Sequence, residues 1–263
     1  MTDRYRYGLS LGRPTSTRIL NYASGGKDNY SCDRATAMLL LTALPALYRL
    51  PGEIFRFKRR AVRFMLAQGV RQFIDVGCGL PGRINVHEIV HRADPAAPVV
   101  YVDADPMAVV HYRALVHGEP NTVAVDADPR DPRSVLEHPE VTGTIDFDRP
   151  VGVLMIMMLA QIRDEADPEG VVRAFRDAMA PGGLLALCEL TDEAMTDEER
   201  LLCADLLRQV ELVAEFRPRQ RIAGFLDGLE PVEPGLVAAP EWRPDRPYEP
   251  PCGLALAAVA RRP

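Results

Sequence analysis

The chain has 263 residues, with 37 acidic and 31 basic side chains and a net charge of -6. Its hydrophobic content of 47% and charged content of 26% exclude a disordered or fibrous chain and describe an ordinary globular one. The acidic balance argues against a nucleic-acid partner, and no run approaches the roughly 18 apolar residues of a membrane span. The five cysteines (Cys32, Cys78, Cys188, Cys203 and Cys252) are odd in number and scattered without a C-x-x-C pair. They point to reduced thiols in a cytoplasm, not to a disulfide framework. The polar start `MTDRYRYGLSLGRPTS` has no apolar core and does not read as a signal peptide.

Residues 1–16 read as a flexible tail. From 17 to 65 the pattern is helical, and Pro45 is expected to kink or end the helix in `DRATAMLLLTALPALYRL`. From 66 onward, short apolar runs alternate with helical segments. The strands are read at `QFIDVG`, `VVYVDA`, `NTVAVDA`, `VGVLMIMML`, `LLALCEL`, `EPVEPGLV` and `GLALAAVA`. Helices are read at 84–93, 106–117, 132–138, 168–180 and 195–216. The alternation predicts an α/β, Rossmann-like fold with a seven-stranded, mostly parallel sheet. The Pro-rich connection `AAPEWRPDRPYEPP` is too irregular for a crossover helix, so the final strand is expected to be antiparallel.

Three motifs overlap in `DVGCGLPGRINVHEIVHR`, Asp75 to Arg92. His87 and His91 form H-E-x-x-H, a zinc pattern, but no third ligand follows at a usable spacing and no metal is expected. Gly77, Gly79 and Gly82 form G-x-G-x-x-G, with Asp103 about 20 residues on, as in dinucleotide sites. Against that reading, Pro81 sits where helix-initiating amides should face a pyrophosphate, and no Tyr-x-x-x-Lys pair serves hydride chemistry. The third reading is an acidic glycine loop for S-adenosylmethionine, which carries no phosphate and tolerates Asp75 beside its ammonium and sulfonium. In that reading Asp103 accepts from the ribose. Asp128, past the third strand in `VAVDADPRD`, accepts from the adenine amino group, with Ala127 or Pro129 against the ring. The turn Pro181-Gly182-Gly183 before the fifth strand completes an ordered set, which the third reading alone accounts for.

The segments `RILNYASGGKDNYSCDRATA`, `DVGCGLPGRINVHEI`, `VVYVDADPMAV`, `HPEVTGTIDFDRPVGVL`, `DGLEPVEPGLV` and `WRPD` resemble, in order, the methyltransferase family called DUF574. The resemblance runs from about Arg18 to the C-terminus. It implies a class I methyltransferase fold preceded by a helical N-terminal lid, S-adenosylmethionine as cofactor and a small-molecule acceptor. The candidate cofactor-binding residues are Asp75, Gly77, Cys78, Gly79, Asp103, Ala104, Ala127, Asp128 and Leu159, with Tyr22 and Lys27 from the lid. The oligomeric state stays open, a homodimer among the alternatives.

Gly25-Gly26 permits a tight turn, and Lys27, Asp28, Asn29 and Tyr30 gather polar groups before a helix in which Asp33 and Arg34 are expected to pair. Candidate bases are Asp28, Tyr30 and His87, then Glu189, with Gln161 as an orienting group. Three departures from the family pattern stand out: Leu159-Ala160-Gln161 where Leu-His follows the fourth strand, Cys78 in place of Thr, and Ile54-Phe55-Arg56 in place of an Asn-Arg pair. The lost imidazole leaves an alternative open, a protein of this fold with lost or altered chemistry.

Overall fold

The structure, a computed structural model, describes residues 12–263. Of the expected tail, residues 1–11 lie outside the described residues. Helix α1 (Ser16–Ala23) starts at Thr15, whose hydroxyl accepts from the Arg18 N–H. Helix α2 (Ser31–Ala43) ends just before Leu44, which leaves the helical region at φ -139° and ψ 82°. Steric conflict with Pro45 forces that break, and a 3-10 turn (Pro45–Tyr48) leads into α3 (Leu50–Ala67).

The alternating part begins at β1 (Phe73–Val76), followed by α4 (Val86–Ala93), β2 (Val99–Asp103), α5 (Pro106–Leu115) and β3 (Thr122–Asp126). Two short helices, α6 (Pro132–Leu136) and α7 (Pro139–Thr142), replace the single helix read at 132–138, each beginning at a proline. Next come β4 (Gly152–Ile156), α8 (Pro168–Ala178), β5 (Leu184–Leu190) and α9 (Asp197–Gln209). Helix α9 stops well short of residue 216, where Glu211 takes a left-handed φ of 54°. The chain closes with α10 (Arg219–Gly224), β6 (Glu230–Pro231), β7 (Val237–Ala238) and β8 (Ala255–Arg261).

Strands β1 to β5 are parallel, and the sheet order is β3-β2-β1-β4-β5-β8-β6. The long β8 inserts antiparallel between β5 and β6, as the irregular connection foretold. The strand read across `EPVEPGLV` is instead two two-residue pieces, both paired to β8, which makes eight strands instead of seven. Prolines 231 and 234 have no N–H to give a continuous ladder.

Successive residues of the central strands point into opposite cores. Phe73, Val99 and Tyr101 join the layer formed with α3, α4 and α5. Ile74, Val100 and Val102 join the opposite layer with Phe175, Ile222 and Phe225. Both faces are covered, so these strands read as unbroken apolar runs. Helix α3 is part of this sandwich, with Phe57, Ala61 and Met65 fully buried, and α1 and α2 pack against its margin through Leu20 and Ala43. Among the described residues no helix is long and apolar enough to cross a membrane.

Phe57 meets the buried Trp242 edge to face at 5.4 Å. Phe57→Ala should lower the unfolding free energy by about 3–5 kcal/mol, read from urea denaturation midpoints.

Candidate functional site

The chain runs outward from β1 through β2 to β3, then returns to β4 on the other side of β1. The carboxyl ends of β1 and β4 therefore form the switch point at which an open α/β sheet leaves a crevice. The loop after β1 fills one side of it. Gly77 and Cys78 both donate to Val102 O, at 2.8 and 3.0 Å, which draws the loop against β2. Gly77 has φ 70°, and a Cβ there would stand 2.5 Å from Met158 Cγ, so both backbone and space require glycine. Gly79, with φ 68°, donates to Asp103 Oδ2 at 2.7 Å.

Asp103 closes β2 and is buried, and its Oδ1 accepts from Asp105 N at 2.8 Å. Burial pushes its carboxyl up to about 6, against the pull of those two N–H donors. Ala104 follows, half-buried, and Asp105 caps α5. Ala127 is buried and donates to Asp103 O at 3.2 Å. Asp128 is half-buried and gripped in bidentate fashion by Arg130, at 2.8 and 2.7 Å. Burial raises its pKa, but the Arg130 bonds outweigh that and hold it below the ordinary carboxylate range.

Asp75 carries a partner that the sequence reading passed over. The chain has only two lysines, and one of them, Lys58 on α3, forms an ion pair with Asp75 Oδ2. The other oxygen, Oδ1, is buried and accepts no hydrogen bond. No local pattern links residues 58 and 75, so only a basic residue on the inner face of α3 could have hinted at the pair. Cys78 lies between the acids. Burial first, then Asp103 and Asp75, push its thiol well up, which keeps it neutral.

Residues of the N-terminal segment approach this loop. The Thr15 hydroxyl reaches Asp105 Oδ2 at 3.5 Å, and the nearest atom to a Cβ on Gly79 would be Thr17 Cγ2 at 3.9 Å. Arg18 and Asp33 form a fully enclosed ion pair at 2.8 Å that ties α1 to α2. This corrects the expected Asp33–Arg34 pair: Arg34 instead donates to Asn29 O and Oδ1, both at 3.1 Å. Asn29 in turn donates to Asn21 Oδ1 at 2.9 Å and to Gly26 O at 3.0 Å, which pins the Gly25-Gly26 turn. Asp28 is exposed and stands 4.0 Å from His111 Nδ1 on α5. Tyr30 is half-buried with the Arg18 guanidinium over its ring at 5.1 Å. Tyr22 is half-buried, and Lys27 is exposed.

Two expected site residues face elsewhere. His87 is buried on α4 and shares the Tyr101 hydroxyl, which accepts from its backbone N–H at 2.8 Å and lies 2.7 Å from Nδ1. Burial lowers its pKa. The ring packs edge to face against Tyr101 in the core beneath α4. His91 turns away as well, with Nε2 3.1 Å from Ala97 O. Leu159 has no exposed surface and belongs to the opposite core. Its N–H donates to Glu189 Oε1 at 3.1 Å and its carbonyl accepts from Arg217 at 2.9 Å. Leu159 therefore holds its own turn and presents nothing to a ligand.

The donors fit S-adenosylmethionine on two observations. The glycine turn has no room for a Cβ at Gly77, and the buried Asp75 Oδ1 lacks a hydrogen bond beside the strand-end acid Asp103.

Comparison with known proteins agrees. A crystal structure of a candidate methyltransferase from Thermobifida fusca is 37% identical, covers 97% of both chains and superposes with a TM-score of 0.90. A DUF574 protein from Streptomyces avermitilis is 32% identical over 97% of this chain and 100% of its own, with a TM-score of 0.91. The 1,6-didemethyltoxoflavin-N1-methyltransferase of Burkholderia thailandensis, solved with S-adenosylhomocysteine, is 14% identical, covers 87% of this chain and 89% of its own, and shares the fold at a TM-score of 0.50. An inorganic pyrophosphatase of Xylella fastidiosa is 32% identical over 103 residues, 36% of this chain. The match spans 54%, about half, of that curated relative, too little to carry its activity across. The S-adenosyl methyltransferase family model matches residues 4–263, and the chain belongs to that family, whose cofactor is S-adenosylmethionine.

Proposed function

We propose that the protein transfers the methyl group of S-adenosylmethionine to a small-molecule acceptor. The observation that carries this reading is the Gly77–Gly79 turn locked onto Asp103 at the carboxyl end of β2, in a chain of this family. In it, Gly77, Cys78 and Gly79 form the floor for the amino-acid part of the cofactor. Asp103 and Ala104 meet the ribose, and Ala127 and Asp128 meet the adenine. Asp75 is already matched in charge by Lys58, so its free Oδ1 serves as a hydrogen-bond acceptor more than as a counter-ion.

The cofactor supplies a methyl group on a sulfonium centre, a leaving group that needs no further activation. The chain's own residues have to align the acceptor and exclude water. The lid formed by α1, α2 and the loop between them suits that task, with Tyr22, Lys27, Asp28 and Tyr30 on or beside its loop. Asp28 is the base of choice for an acceptor O–H or N–H, being an exposed carboxylate 4.0 Å from His111 Nδ1.

Glu189 is not that base. It is fully buried, and burial pushes its carboxyl up to about 8 against the nearby Arg217 charge. Its Oε1 holds the Leu159 N–H and its Oε2 has no partner. It therefore stays protonated near neutral pH and fixes the turn after β4. The second reading, lost or altered chemistry, rests on that turn. Ala160 is buried and Gln161 exposed where the family pattern has a histidine.

Calorimetric titration with S-adenosylmethionine and S-adenosylhomocysteine tests the main reading. Micromolar binding is expected. Asp103→Asn should weaken it about tenfold or more, since a hydrogen bond to a charged group contributes roughly 1.5–3 kcal/mol. Because Asp103 titrates at about 6, affinity should fall as pH drops through that value. Unaltered binding by the variant would remove Asp103 from the site. Binding without any methylated product from a metabolite extract would favour the second reading.

Glu189 gives a separate pH signature. Its folded-state pKa lies above the unfolded value near 4.5, so the fold binds the proton more tightly. Stability from this group is complete below about 4.5, declines as pH rises, and levels off above about 8. Glu189→Gln keeps an acceptor for Leu159 and removes this decline. Urea midpoints at pH 5, 6.5 and 8.5 should show the variant gaining steadily on the wild type.

A further inference from the structure

Helix α3 has a second charged face. Lys58 turns inward to Asp75, while Glu53, Arg56 and Arg60, spaced three and four residues apart, lie along another side. That side meets the Pro-rich stretch before β8 and encloses a cavity of about 300 Å³. The carboxylates around it are already engaged. Glu53, 1% exposed, accepts from Cys252 N at 2.8 Å and Cys252 Sγ at 3.0 Å, with Arg49 at 3.5 Å. Asp245 pairs with Arg59 at 2.7 Å and Arg63 at 3.6 Å. Glu249 lies 3.6 Å from Arg49.

The remaining guanidiniums have no such partner. Arg56 and Arg246 line the cavity, are exposed, and form no ion pair with any described residue. Arg60 is buried and donates to the backbone carbonyls Trp242 O at 2.8 Å and Ala239 O at 2.6 Å, with Asp245 the carboxylate acting on its charge. Pro244, Pro247 and Tyr248 add apolar wall. A chain of net charge -6 thus concentrates uncompensated positive charge in one concave place. Guanidiniums in such a place favour a carboxylate or phosphate, which they can bind through two parallel hydrogen bonds. The location also suits a substrate. Cys252, bonded to Glu53, lies just ahead of Ala255, which pairs with Leu190 at the carboxyl end of β5. Glu53, on the wall of the cavity, is thereby placed at the carboxyl edge of the sheet, the edge that carries the cofactor loop.

We propose that this cavity is the acceptor subsite and takes a small organic anion, a carboxylate or phosphate on a largely apolar body, gripped by Arg56 and Arg246. The inference rests on the methyltransferase reading above. Two experiments on the full chain test it, with wild type compared to Arg56→Gln/Arg246→Gln. The first is titration with S-adenosylhomocysteine, then with benzoate and inorganic phosphate as anion probes. The second is transfer of labelled methyl groups into a metabolite extract split by anion exchange into retained and unretained fractions.

The expected result is equal S-adenosylhomocysteine affinity in both proteins and at least tenfold weaker binding of a probe by the variant. Label should enter the retained fraction and fall at least tenfold in the variant. Equal probe binding by both proteins, or none by the wild type while S-adenosylhomocysteine still binds, would overturn the subsite alone. Probe binding with label only in the unretained fraction, or in neither, would make the anion an effector and overturn the acceptor assignment. Failure of S-adenosylhomocysteine to bind the wild type would bring down the cofactor reading and the acceptor role with it. Unchanged S-adenosylhomocysteine affinity also reports that the variant is folded, and Arg246→Gln alone, on a surface loop, provides a milder second variant.

Discussion

The bond from Gly79 N–H to Asp103 is the contact on which the site's geometry depends. It exists because the parallel register of β1 and β2 sets Val76 beside Val102, so that the next turn of chain must fold back over the end of β2. Two left-handed glycines make that reversal without a steric penalty, and Met158 from the far side of the switch point leaves no space for any larger residue at Gly77. A carboxylate that accepts two main-chain N–H groups is held in place before any ligand arrives. Such preorganisation spares a ligand the ordering of its own receptor.

Around this turn, charge is arranged by helix α3. One face of the helix delivers Lys58 to Asp75, and another leaves Arg56 and Arg60 on a cavity beside the Pro-rich stretch. The helix carries both because Phe57, Ala61 and Met65 anchor it in the core between those faces. A buried pair such as Lys58–Asp75 is costly to break, since either partner alone would be an uncompensated charge in a poorly hydrated place. The same reasoning applies to Arg18–Asp33, which welds α1 to α2 above the loop. The outer helices are joined to each other by an enclosed ion pair, and their segment reaches α5 through the Thr15–Asp105 and Asp28–His111 contacts.

Much of this was legible in the residues. The glycine loop, the strand-end acid Asp103 and the antiparallel last strand follow from patterns that are local or nearly so. Glycine where φ is positive and unbroken apolar runs where both sheet faces are covered leave marks readable in a short window. The histidines show where such reading fails. Spacing of four residues places His87 and His91 on one helix face, but only the packed α4 reveals that this face looks to Tyr101 and Ala97. Leu159 shows a related limit: its place after β4 is legible in the chain, but packing alone sends its side chain into the opposite core.

By itself, the sequence determined the order of elements, the parallel sheet with its reversed final strand, the glycine turn and the acids at the strand ends. Each of these follows from backbone preference or apolar periodicity within a few neighbouring residues. Tertiary structure alone decided which side chains meet: Lys58 with Asp75, Arg18 with Asp33 and Glu53 with Cys252, while Arg56 and Arg246 pair with no carboxylate among the described residues. A charge on a helix has no preferred partner until packing brings another within a few ångströms and removes the water between them. That selection operates across 17 residues for Lys58 and Asp75 and 199 for Glu53 and Cys252, distances over which no local pattern in the chain carries information.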